Sequence, residues 1–196
     1  MNLRSLSVIA VVGALGLAAC GSDDAASPAT KAPADTTATG AAFNDADTTF
    51  AQGMIPHHEQ AIAMAEIALD PNVGASETVR GLATRIKGGQ DPEIEMMSGW
   101  LTTWGQPMQM EAGDGHDMSS MDGMMSAEEM DSLGSMTGTE FDTMWMEMMI
   151  RHHEGAIAMA QTVKAAGSSP DVIALADQVI TAQQGEIAEM KTLLES

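Results

Sequence analysis

Met54-Ile55-Pro56-His57-His58-Glu59-Gln60-Ala61-Ile62-Ala63-Met64-Ala65 returns 95 residues later as Met149-Ile150-Arg151-His152-His153-Glu154-Gly155-Ala156-Ile157-Ala158-Met159-Ala160. The match extends outward on both sides. Asp47 answers Asp142 at the same interval, and Gln90, Glu93, Ile94 and Met97 answer Gln183, Glu186, Ile187 and Met190 at an interval of 93. A long internal repeat marks a duplicated supersecondary unit. Each copy has apolar residues at helical spacing on both sides of a breaker, Asp70-Pro71-Asn72 in the first and Gly167-Ser168-Ser169-Pro170 in the second. That pattern predicts an αα-hairpin. Two hairpins supply four amphipathic helices, which bury their apolar stripes most simply as a bundle. The expected fold is therefore all-α, a ferritin-like four-helix bundle with repeat one at 43–104 and repeat two at 140–196. Between them, 105–139 is a Met-rich insert. It reads as loop to about Gly123, followed by a short helix that a Ser126-Ala127-Glu128-Glu129 capping box starts and that ends near Met136.

On a wheel of about 100° per residue, Met54, His58, Ala61, Ile62, Ala65 and Leu69 share one face of the first helix. His57, Met64 and Ala68 lie along its edge. The second copy repeats the arrangement with Met149, His152, His153 and Met159. The partner helices carry Gln90, Glu93 and Met97, and Gln183, Glu186 and Met190, within apolar stripes. A Gln or Glu buried there is costly unless paired, and a His across the hairpin is the natural partner. Asp91-Pro92 has no counterpart in the second copy, which predicts a kink or restart of that helix. Arg151 stands where the first copy has Pro56, placing a cation beside the second His pair.

Outside the repeats, Arg4, the apolar run Leu6 to Leu17 and Leu17-Ala18-Ala19-Cys20 read as a lipoprotein signal peptide, 1–19, with lipid on Cys20. Residues 20–42 are then the lipidated Cys and a disordered tether. The expected location is the bacterial cell envelope, lipid-anchored to the membrane and facing outside the cytoplasm. Cys20 is the lone cysteine, so an intramolecular disulfide and a Cys-based zinc or iron–sulfur site are excluded. Cleavage removes Arg4 and leaves seven basic against 28 acidic residues, a net charge of −21. Nucleic acid is thereby disfavoured as a partner, and so is anionic lipid; contact with the membrane is through the lipid anchor only.

Nineteen Met against three Phe, three Trp and no Tyr exceed ordinary core filling. Thioether and imidazole together favour Cu(I) or Ag(I) over harder ions. The residues read as metal ligands are Met54, His57, His58, Met64, Met149, His152, His153 and Met159. Core packing is the competing reading of each. Glu93, Met97, Glu186 and Met190 stand as supporting groups or further ligands. His116, Met118, Met121, Met124 and Met125 form a candidate weaker metal-binding loop.

These blocks resemble a bacterial ferritin-like domain family of unknown function, typified by a periplasmic copper-binding protein. The resemblance spans roughly Phe43 to Ser196. It implies a four-helix bundle that binds copper or silver through Met and His, with no enzymatic activity. A di-iron oxidase is a poorer reading, because no Glu stands three residues before either His pair. A metal-free envelope interaction module is the other alternative. Nothing resembles a nucleophile elbow or a phosphate-cradling loop.

Overall fold

The computed structural model describes residues 42–110 and 122–196. The signal peptide, Cys20, most of the tether, His116, Met118 and Met121 lie outside the described residues. Four long helices and one short one account for most of the rest: α1 (Asp45–Leu69), α2 (Glu77–Trp104), α3 (Ala127–Ser135), α4 (Gly138–Ala166) and α5 (Pro170–Leu194). No strand occurs among the described residues. The helix starts are written locally. Asn44 and Ser126 close capping boxes with Asp47 and Glu129, Ser76 and Ser169 cap α2 and α5, and Pro170 occupies the first turn of α5.

The helices pack as two hairpins, α1 on α2 and α4 on α5, which meet along α1 and α4. The α1–α4 crossing is antiparallel. His57 meets His152 at a centroid distance of 3.8 Å with the rings tilted by 42°, and seven residues away in each direction the Trp145 indole N–H donates to the Met64 carbonyl at 2.9 Å. The repeat therefore folds about a pseudo-two-fold axis through the His57/His152 pair. By contrast, α2 and α5 approach each other less closely. The Arg85–Glu189 ion pair spans them at one end. At the other, Met96 and Trp100 share a groove with Asp171, Ala174 and Gln178. In that antiparallel register Gln90 comes opposite Gln183.

The matching aspartates have a structural reason. Asp47 of the first hairpin is fully buried, and its Oδ2 accepts from the Ser168 and Ser169 amides of the other hairpin's loop at 3.0 and 3.1 Å, as well as from the Ser168 hydroxyl. Asp142 reciprocates by accepting from the Ser76 amide at 3.1 Å. Each hairpin thus caps the turn of the other. Asp47→Ala strands these donors together with the Asn44 amide. The expected cost is about 3 kcal/mol, seen as a fall in Tm of roughly 6–12 °C. Asp142→Ala should cost less, since its bonds are more exposed; equal losses in thermal melts would contradict this account.

One expectation is corrected. Pro92 does not restart its helix: α2 runs unbroken from Glu77 to Trp104 with Pro92 inside it. The helix tolerates the missing N–H because the carbonyl it strands, four residues back, belongs to exposed Gly88 and is open to water.

Candidate metal centre

His57, His58, His152 and His153 are all fully buried. The reason is the wheel position together with the axis. His58 and His153 lie in the apolar stripes, while His57 and His152, at the stripe edges, are covered because the axis brings α1 and α4 edge to edge. The result is one cluster of imidazoles shared by both repeats. His153 extends it, with its centroid 6.4 Å from that of His152.

The partners anticipated across the hairpins are present. His58 Nε2 lies 2.7 Å from Glu93 Oε2, and His153 Nε2 lies 2.8 Å from Glu186 Oε2. A carboxylate accepts, so the proton of each bond sits on Nε2, with Nδ1 on the far side of the ring. These Nδ1 atoms have no hydrogen-bond partner, nor does either nitrogen of His57 or His152. Burial, with His58 and His153 adding to it, pushes the His57 pKa down to about 3. His152 is pushed well below its ordinary value, by burial first and by the neighbouring imidazoles next. Both rings are neutral at pH 7 and present unprotonated, unpaired nitrogen. Gln90 and Gln183 add buried amide oxygens without partners.

The methionines divide into two groups. Met54 and Met97 share one apolar cluster, Met149 and Met190 share the other, and all four are fully buried. Met54 and Met149 precede His58 and His153 by one turn; Met97 and Met190 follow Glu93 and Glu186 by one turn. Met64 and Met159 are not brought to the histidines. Each lies six residues from its nearest motif His, about 9 Å along the helix axis. Met64 packs in the cluster that holds Trp145, and Met159 lines an α1–α4 groove with Phe50 and Met110. Among the described residues no three His, Cys, Asp or Glu side chains are grouped to hold a metal ion.

The insert supplies a feature that repeat matching missed. Gln60 bonds both the amide and the carbonyl of Met125, at 2.7 and 2.9 Å. Arg151 bonds Glu129 and the Met125 sulfur. Asp122 and Gly123 press so closely on Gly155 that a Cβ there would meet the Asp122 oxygen at 1.9 Å. Gln60 and Gly155 occupy the same repeat position, as do Pro56 and Arg151. The departures from the repeat are largely the residues that dock segment 122–129 over the α1–α4 seam, and they were the available signal. Arg151 consequently turns outward instead of standing beside the His pair. Met125 is likewise no exposed loop sulfur: it is a buried core residue, while Met124 is partly exposed.

Two helical hairpins closed about a shared, buried polar centre define a duplicated-hairpin bundle. The chain belongs to the family described as Domain of unknown function (DUF305), whose model matches residues 47–194. Solved structures agree. A DUF305 protein from Streptomyces coelicolor is 32% identical over 76% of this chain and 92% of that one, with a TM-score of 0.70. A DUF305 fragment from Deinococcus radiodurans is 32% identical over 78% and 97%, with a TM-score of 0.69. CopM in its Cu(II)-bound form is 32% identical over 76% and 95%, with a TM-score of 0.63, and its Cu(I)-bound and Ag-bound forms match as well. No curated protein matches.

Proposed function

We propose that this chain is a non-enzymatic Cu(I)- and Ag(I)-binding lipoprotein of the cell envelope, anchored through Cys20 and acting as buffer, scavenger or carrier. The observation that carries the reading is the cluster of four buried imidazoles in which both nitrogens of His57 and His152 and the Nδ1 atoms of His58 and His153 are without partners. Unpaired polar groups at the centre of a bundle are a standing cost that a bound cation removes. The ligands assigned are His57, His58, His152 and His153, with the sulfurs of Met54 and Met149 and, one turn from the glutamates, Met97 and Met190. Met64 and Met159 form an outer layer. His116, Met118, Met121 and Met124 of the insert bind more weakly, because loop ligands must be ordered as they bind; Met125, packed in the core, is not assigned to this group. The likeness to CopM, whose solved forms hold copper or silver, supports the choice of metal. No described helix is long and apolar enough to cross a membrane.

Glu93 and Glu186 set the tautomer and orientation of His58 and His153 from outside the ligand shell. Competition for Cu(I) between the full chain and a colorimetric chelator tests both statements. Wild type should hold Cu(I) tightly and prefer it to Zn(II), since thioether is a poor zinc ligand. Glu93→Gln with Glu186→Gln should weaken Cu(I) binding by roughly ten- to a hundred-fold while helix content stays constant. A wild type that yields all Cu(I) to a weak chelator would defeat the metal reading. Unchanged affinity in the double variant would defeat the role given to the glutamates.

A further inference from the structure

The two seams of the bundle are built differently. On the α1–α4 side, segment 122–129 lies over the histidines, held by Gln60, Arg151 and the close contact at Gly155. The Asp122 backbone comes close to His57 there. On the α2–α5 side the helices approach less closely. On this side the carboxylates that bond the imidazoles, Glu93 and Glu186, also reach solvent, with side chains 19% and 23% exposed.

Within that side, the middle of α2 is the weakest length of helix. Between Ile86 and Met97 its one buried side chain is Gln90, whose amide has no partner. Ile94 is only partly covered. Gly88 and Gly89 are exposed, and a Cβ added at either would meet nothing within 4 Å. Close packing therefore does not account for these glycines, each of which weakens a helix interior relative to alanine. Pro92 then removes the N–H that would tie its turn to Gly88. Poor apolar anchoring, exposed backbone and weak helix formers coincide one turn before Glu93, the conditions for local opening. The matching turn of α5 has Gly185 but no proline.

Resting on the metal reading above, we propose that Cu(I) or Ag(I) reaches and leaves the histidine cluster through local opening of α2 at residues 87–96, past Glu93, and not beneath segment 122–129. The glutamate meets the cation at the surface, and the Gln90 amide gives it an oxygen to lean on before the imidazoles and sulfurs take over. Segment 122–129, tied to α1 and α4 through Gln60 and Arg151, keeps the cluster in place while α2 moves.

The test is the rate at which the Cu(I)-loaded full chain transfers its metal to excess chelator in stopped flow. Gly88→Ala with Gly89→Ala strengthens the helix at exposed, open positions, so the variant should fold and melt higher. Transfer should slow by roughly five- to thirty-fold, with equilibrium affinity unchanged. Gly134→Ala, also at an open position, is the control and should leave the rate alone. Gln60→Ala with Arg151→Ala loosens the 122–129 segment and should not speed transfer. Amide exchange gives a metal-independent reading: protons at 93–96 should exchange faster than those at 186–189, and the double-alanine variant should slow them. Wild-type transfer rates in that variant, or a several-fold acceleration in the Gln60/Arg151 variant, would overturn the route. A wild type that binds no Cu(I) would overturn the metal reading instead, and the route with it.

Discussion

His57→Leu with His152→Leu should yield a protein that is more stable without metal than the wild type and has lost its tight Cu(I) binding. The two rings meet, tilted, on the pseudo-two-fold axis with all four nitrogens buried and unpartnered. Leaving a buried polar group unsatisfied costs about 1–3 kcal/mol, and an apolar side chain of similar size removes that cost. A gain of about 2 kcal/mol or more in unfolding free energy, measured by urea melts, is expected for the pair. Over the same substitution, competition with a Cu(I) chelator should show the tighter class of sites gone. Histidines that served only to fill the core would behave in the opposite way. The variant would then lose stability and keep its affinity, and the site assignment would fail.

The metal-free wild type should also lose stability steeply between pH 6.5 and pH 5. His57 titrates near 6.5 when unfolded but is held down to about 3 when folded, chiefly by burial. Across that window the unfolded chain binds a proton that the folded chain refuses, so stability falls as pH falls. For His57 alone the loss is about 2 kcal/mol at pH 5 and would grow toward pH 3. His152, depressed for the same reasons, adds to it in the same direction. Relief of repulsion among the carboxylates opposes the loss, but their ordinary titration lies lower, near pH 4. Urea melts at pH 7 and pH 5 test this. The slope should flatten in the double-leucine variant, and a metal-free wild type equally stable at both pH values would show that the rings are not held neutral. Cu(I) should restore stability at pH 5 in the wild type alone, because a ligand bound only by the folded state shifts the balance toward it.

Much of this was legible because the repeat states each hairpin twice. The four long helices, the breakers between them and the capping box at Ser126 are local signals. The Glu93–His58 and Glu186–His153 pairs followed from a polar residue inside an apolar stripe, which must find a partner. What could not be read was how the hairpins meet. A wheel shows His57 at a stripe edge, and only the axis explains why it is fully buried. The same limit applies to Met64 and Met159, which share a helix surface with the histidines but sit two turns along it. Of the kink or restart that Pro92 predicts, the restart is excluded by the unbroken α2, in which the stranded carbonyl belongs to exposed Gly88. Arg151 and Met125 were read one residue at a time. Their roles emerge once Gln60, Gly155 and segment 122–129 are taken as one docking surface.

The reciprocal capping by Asp47 and Asp142 bears on how such a chain arises. Each hairpin carries both halves of the contact, an aspartate near the start of its first helix and a serine-bearing turn between its helices. Such a surface is self-complementary, the property that lets two identical subunits close a ring of two. A lone hairpin would therefore find its mate in another copy of itself, with an imidazole from each meeting on a true dyad. Joining the two copies in one chain makes the encounter intramolecular and frees each copy to change by itself. Gln60 and Gly155, and Pro56 and Arg151, are positions where that freedom was used, since in a homodimer one asymmetric segment could not have found two different seats.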